Sequence, residues 1–199
     1  PNGVISRSVD TERFSAVERG NPSTVVHVGG ADLRKGKGLL KFIQHAWPSI
    51  RERVPEARLV LAGRDTECFN DRHFGIEALG FVDDDRDILG RGLIFLNAQS
   101  IGAGIQLKTI VAMLAGKALV STRMGIEGVE GKDGEHFFVA DSSQEMVGRI
   151  VGLMNDTQMA ERVGQNARTL AARVYSHEYV GREARPLVEE FANLEATFP

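Results

Sequence analysis

The stretch Leu93–Thr122, "LIFLNAQSIGAGIQLKTIVAMLAGKALVST", decides how the chain folds. It opens on a short apolar run, Leu93–Asn97, and passes through a turn that carries Gly102 and Gly104. Leu107, Ile110, Val111, Leu114 and Ala115 then recur at the i, i+3, i+4, i+7 and i+8 spacing of one helix face, and Gly116 stands where a left-handed cap ends a helix. A second apolar run, Ala118–Thr122, follows at once. Strand, glycine turn, core-packed helix and strand make a βαβ unit, the building block of parallel sheet.

The same alternation extends in both directions. Further β-branched runs are "TVVHVG" (Thr24–Gly29), "RLVLAG" (Arg58–Gly63), "IEALGFV" (Ile76–Val82) and "EHFFVA" (Glu135–Ala140). They are nearly continuous in apolar residues, as strands buried on both faces must be. Leu39, Leu40, Ile43, Ala46, Trp47 and Ile50 predict one helix face that Pro55 ends, and from Ser142 onward the chain reads as helical, with a serine cap in "SSQEM" and a C-terminal helix over 175–199. The expected fold class is α/β: a Rossmann-like parallel sheet with helices on both faces and further helices at the C-terminal end.

The 199 residues, 42% of them apolar, fit a single domain of generous size. A formal charge of −3 with both signs mixed along the chain offers no basic field for nucleic acid, although a small anionic ligand is compatible with it. The lone cysteine, Cys68, cannot form an internal disulfide, and no apolar run is long enough to span a bilayer. The expected setting is cytoplasmic, with room for a full-length protein held peripherally at a membrane. Pro1 opens the sequence without a starting methionine or a signal-peptide pattern, so the chain reads as cut from something longer.

In a doubly wound sheet, ligands bind beyond the C-terminal strand ends, where glycine turns let backbone N–H groups and helix N-termini face an anion. Three such turns are present. "GGADLRKGKG" (Gly29–Gly38) brings Arg34, Lys35 and Lys37 to the start of a helix, "AGRDTE" carries Arg64 at a strand end, and the third turn sets Gly102 and Gly104 ahead of Lys108. Each is a phosphate-binding turn or, on pattern alone, a solvated loop or tight corner. The acidic run "VDDDRD" (Val82–Asp87) fits a loop or helix cap better than a metal site, and the five histidines share no ligand spacing. No metal is expected.

Taken in order, these pieces resemble the C-terminal, donor-binding domain of retaining glycosyltransferases with the GT-B fold, the group 1 glycosyltransferase family. "PNGV" with Phe14 resembles the segment by which the chain enters that domain, making 1–23 an interdomain linker. "HVGGADLRKGKGLL", "RLVLAG" and "LGFVDD" resemble its first three strands and their turns. "GAGIQLKTIVAMLAGKALVSTRMGIEGV" is similar to its block K-x-x-E-A-M-x-x-G-K-P-V-V-x-T-x-x-G-x-E-G. The resemblance spans essentially the whole chain.

It implies a transferase of the hexosyltransferase type that takes a sugar from a nucleoside diphosphate sugar, with no cofactor and no obligatory metal. The missing N-terminal domain would choose the acceptor, and this half alone would be inactive. Arg34 or Lys35 and Lys108 would neutralise the leaving diphosphate, with Lys108 and Arg34 as the catalytic cations. Gly29, Gly30 and Arg64 would line the nucleotide-sugar pocket, Phe81 and Val82 would flank the base, and the backbone from Gly102 through Ala103 and Gly104 to Ile105 would meet the donor sugar or phosphates. The family's two glutamates, separated by seven residues, fall on Ala103 and Val111. Some branches replace the first with a G-x-G turn. The second binds ribose, and a valine there forfeits an acceptor worth about 1–3 kcal/mol. Ala118 stands in place of the usual proline.

Two rival readings share the fold. One is a degenerate glycosyltransferase-like domain kept for binding or structure. The other is a nicotinamide-dependent oxidoreductase, which needs a G-x-G-x-x-G turn that "GGADLRKG" does not supply.

Overall fold

The computed structural model describes residues 9–31, 36–102 and 104–195, with side chains as far as residue 186. Its strands are β1 (Asn21–Val28), β2 (Arg58–Ala62), β3 (Ile76–Ala78), β4 (Gly92–Asn97), β5 (Ala118–Ser121) and β6 (Phe138–Val139). They form one parallel sheet in the order β3-β2-β1-β4-β5-β6. Each of the six apolar runs supplies one strand. The two edge strands are shorter than their runs: β3 stops at Ala78 because Gly80 turns the chain with φ +70°, and only two residues of the last run pair with β5.

Strand alternation divides the core into two layers. Val25, Leu59, Leu61 and Leu96 face one side, where α1 (Lys37–His45), α2 (Trp47–Arg53) and α5 (Ser143–Asn155) cover them. Val26, Val60, Phe95 and Leu119 face the other, beneath α3 (Asp85–Leu89) and α4 (Leu107–Leu114). α6 (Thr157–Val174) contributes Ala160 and Val163 to the first layer and Ala167 and Ala171 to the second, and α7 (His177–Glu195) ends the described chain. Fully burying each such aliphatic or aromatic side chain contributes about 1.5–3 kcal/mol, so the sandwiching of the sheet is the main source of stability.

The single helix predicted across Leu39–Ile50 is two helices broken at Ala46. Pro48 sits in the first turn of α2, where its missing N–H leaves no helical bond unmade, and the shared apolar face simply continues across the break. Ser142 and Glu145 form a full capping box on α5. Asp84 caps α3 by accepting from Arg86 N–H at 3.0 Å, and the Arg86 guanidinium also holds its carboxyl well below the usual range.

Lys117, at the N-terminal end of β5, is fully buried. Its ammonium donates to the carbonyls of Glu18 (2.7 Å) and Arg19 (3.0 Å), and burial lowers its pKa to about 8. It therefore ties the segment that precedes β1 to the sheet, at the end opposite the glycine turns.

Candidate functional site

The chain leaves β1 toward one face of the sheet, through α1 and α2, and leaves β4 toward the other, through α4. Between these two adjacent strands the connections diverge and open a crevice beyond their C-terminal ends, the switch point at which such sheets bind ligands.

On one side of the crevice the first two glycine turns and the loop after β3 are tied together. Gly29 N–H donates to Ala62 O (2.8 Å), Ala31 N–H to Arg64 O (2.9 Å) and Gly63 N–H to Gly80 O (2.6 Å). Thr66, fully buried, donates its hydroxyl to Gly63 O (2.8 Å) and accepts from Gly80 N–H (3.2 Å). Gly63, at φ +135°, has no room for a side chain against the Gly29 carbonyl. The result is a cleft of about 450 Å³ that gathers Gly29, Gly30, Arg64, Phe81 and Val82, with Asp65 and Asp85 beside them. Phe81 is 74% exposed, an aromatic ring left open at the cleft mouth.

Lys108 crosses the crevice from the first turn of α4. A β-carbon built on Gly29 would lie 3.0 Å from Lys108 Nζ and 3.3 Å from His27 Nε2, so the ammonium and the imidazole converge at the end of β1. His27 is buried and its Nδ1 lies 2.9 Å from the Leu96 carbonyl, which can only accept; Nδ1 therefore carries the proton, leaving the Nε2 lone pair on the Lys108 side. Burial first, and the Lys108 charge second, lower its pKa to about 3 against the opposing pull of the Leu96 carbonyl. The imidazole is neutral, and Lys108 is the cation of the pair.

This has a consequence for acid stability. In the unfolded chain His27 titrates near 6.5, so between pH 6.5 and 3 the unfolded state binds more protons, and the contribution, complete above pH 6.5, is lost as the pH falls. The full loss is on the order of 5 kcal/mol. Urea unfolding at stepped pH should show native stability falling more steeply below pH 6.5 than that of His27→Gln; parallel curves would refute the assignment.

The third turn carries Gly102 at φ +153° and Gly104 at φ +75°. Behind it Asn97, fully buried at the end of β4, shares the two protons of Nδ2 among Gln106 Oε1 (3.2 Å), Thr109 Oγ1 (3.0 Å) and the Gly125 carbonyl (3.1 Å). Its Oδ1 has no partner among the described residues, a buried acceptor suited to a bound water. Thr109 donates to the same Gly125 carbonyl at 2.9 Å. Gly104 N–H donates to Glu127 Oε2 at 3.2 Å. Among the described residues no side chain caps α4 and none in its first turn is acidic, so the partial positive charge of its N-terminus is not offset by a carboxylate there.

The structure thus brings Gly29, Gly30, Arg64, Phe81 and Val82 into one cleft, with Lys108 at its border and Gly102, Gly104 and Ile105 on the turn beyond. Arg34, Lys35 and Ala103 lie outside the described residues. Val111 is buried in the apolar layer at 7% exposure, slightly more open than its neighbours along α4. His27, Asn97, Thr109 and Glu127 were not singled out from sequence. His27 had a local signal, a polar residue late in an apolar strand; Glu127 stood in the quoted G-x-E-G block without a role, because only the fold brings it to Gly104.

The sequence pattern of "Glycosyl transferases group 1" matches residues 22–156, more than half of the chain. The chain belongs to the group 1 glycosyl transferases. A Klebsiella pneumoniae protein described as an uncharacterized 44.6 kDa protein in the cps region is 22% identical over 155 residues, which is 72% of this chain and 40% of that protein. Anabaena HepE, solved in complex with UDP, superposes with a TM-score of 0.72 at 17% identity, over 96% of this chain and 57% of HepE. The C-terminal domain of the group 1 glycosyl transferase LpcC from Francisella tularensis gives 0.63 at 18% identity, covering 87% of this chain and 97% of that domain. At these identities the structures establish the shared fold. This group 1 chain spans well under two thirds of the Klebsiella relative and of HepE, and it matches LpcC where that chain is a C-terminal domain alone.

Proposed function

We propose that this chain is the donor half of a retaining glycosyltransferase, whose acceptor-selecting half lies outside it. The observation that carries the reading is the meeting of a cationic Lys108 and a neutral His27 at Gly29, at the sheet's switch point. In sugar transfer the bond between the anomeric carbon and the β-phosphate oxygen breaks, and its electron pair remains on the departing diphosphate. The acceptor oxygen bonds to the same face of that carbon, and the acceptor proton passes to the departing phosphate oxygen. Lys108 offsets the charge that develops, assisted by Arg34 or Lys35 of the first loop; fixed cations at that point lower the barrier more than they stabilise the bound ground state. Arg64 forks onto phosphate or ribose oxygens, Phe81 and Val82 flank the base, and the backbone of Gly102–Ile105 meets the sugar. HepE, with UDP bound, supports a nucleotide as the ligand of this fold.

A second reading, a degenerate domain that no longer binds donor, is favoured by Val111, which is apolar and buried at the position of the ribose acid. Calorimetric titration of UDP, GDP and ADP and their glucose or mannose forms, against the native chain and Val111→Glu, separates the two. The donor reading expects the native chain to bind at least one nucleotide with a Kd below about 1 mM, and the added acceptor to improve that by about tenfold. Binding by the glutamate variant alone would favour the degenerate reading.

A further inference from the structure

Neither Ala103 nor Val111 supplies an acid to the third turn, yet the turn has one. It comes from the segment after β5. Glu127 reaches back and accepts from Gly104 N–H, and its main chain is held on both sides. Before it, the Gly125 carbonyl is gripped by Asn97 and Thr109, both fully buried, and Gly125 N–H bonds to the Thr122 carbonyl and hydroxyl, each at 3.0 Å. After it, a β-carbon on Gly128 would lie 3.0 Å from Ile105 Cγ1, so this glycine packs directly on the residue that follows Gly104. Glu127 is therefore fixed relative to the turn from two independent anchors, while its side chain remains exposed.

A carboxylate has about four lone-pair sites and one is used on Gly104, so on this exposed side chain others are open to a ligand at the third turn. Such a group repels a diphosphate. It suits a pair of hydroxyls, which it can accept from together, in a position where the turn otherwise presents only main chain. We propose that Glu127 is the residue that reads the hydroxyls of the donor sugar, leaving Lys108 to the diphosphate. This assignment rests on the donor-binding reading above and adds to it the residue that sets sugar preference.

The test compares native chain with Glu127→Gln, which keeps the size of the side chain but removes its charge and an acceptor. The probes are UDP with UDP-glucose, GDP with GDP-mannose, and ADP with ADP-glucose, titrated calorimetrically. The expected result is a loss of about tenfold or more in the affinity for the preferred nucleotide sugar, with that for the matching diphosphate unchanged within about twofold. Diphosphate and sugar affinities that fall together or stay the same would make Glu127 a purely structural tie. Tighter diphosphate binding by the variant would make it an internal plug on the Gly104 amide. Either result overturns the assignment and leaves the donor reading standing. If the native chain binds none of the probes, the donor reading fails and this inference with it.

Discussion

Lys108→Met should weaken binding of nucleoside diphosphates by roughly 30–150-fold, the loss of a charge-assisted contact worth about 2–3 kcal/mol. The side chain is half-buried at the mouth of the crevice and methionine matches its stem, so the packing around it is kept while the charge is removed. A second, independent signal comes from His27. The Lys108 charge is the second largest cause of its lowered pKa, after burial. Without that charge the imidazole should titrate higher, yet still below the ordinary 6.5, because it remains buried. Nuclear magnetic resonance of the imidazole through an acid titration reads this directly. Unchanged nucleotide affinity together with an unmoved His27 would show that the ammonium neither faces the ligand nor senses the imidazole.

Gly38→Ala is expected to be among the most destabilising single-methyl additions in the chain. An added methyl would collide with the Ala98 carbonyl oxygen and lie 3.2 Å from Ser100 N, and both are main-chain atoms that cannot swing aside. Relief requires α1 to lift from the end of β4, loosening Leu39 and Phe42, which are 3% and 1% exposed. Better helix propensity returns at most about 1 kcal/mol, against an overpacking cost of about 3–5 kcal/mol, at and beyond the top of the usual 1–3 range because the collision is with main chain, for a net loss of about 2–4 kcal/mol. That corresponds to roughly 5–15 °C in Tm for a chain of this size. Gly148 and Gly152 in α5 are the matched control. An added methyl there meets nothing within 4 Å, so alanine at either should stabilise by about 0.5–1 kcal/mol. If Gly38→Ala behaves like these two, the close approach of the first helix to the third turn is wrong. Because α1 follows the Gly29 turn, the same variant should also weaken nucleotide binding.

What could be read in advance follows from how local the signal is. Strands buried on both faces leave continuous apolar runs, and so the sheet was legible. The glycine turns were legible because Gly63 and Gly104 adopt conformations that other residues rarely take. The break between α1 and α2 was not, because Trp47 and Ile50 continue the apolar face of Leu39 and Phe42; Pro48 was the available clue. The site divides in the same way. Lys108 and Arg64 were found because each follows a glycine turn. The convergence of His27 with Lys108, and of Glu127 with Gly104, joins residues 81 and 23 positions apart, and no periodicity encodes such a pairing.

In the donor-binding reading the C-terminal ends of β1, β2 and β4 form a diphosphate site. Its competitor is physical. A larger cavity of about 650 Å³, with Arg51, Arg58 and Arg72 in its lining, lies at the opposite end of the sheet. Backbone amide shifts recorded during titration of the nucleotide that binds best separate the two. The largest changes are expected at Gly29, Gly30, Gly63, Arg64, Phe81, Gly104 and Lys108, with Arg58, Arg72 and Gly75 unmoved. Changes confined to the second group, or none in the first at millimolar nucleotide, would contradict it.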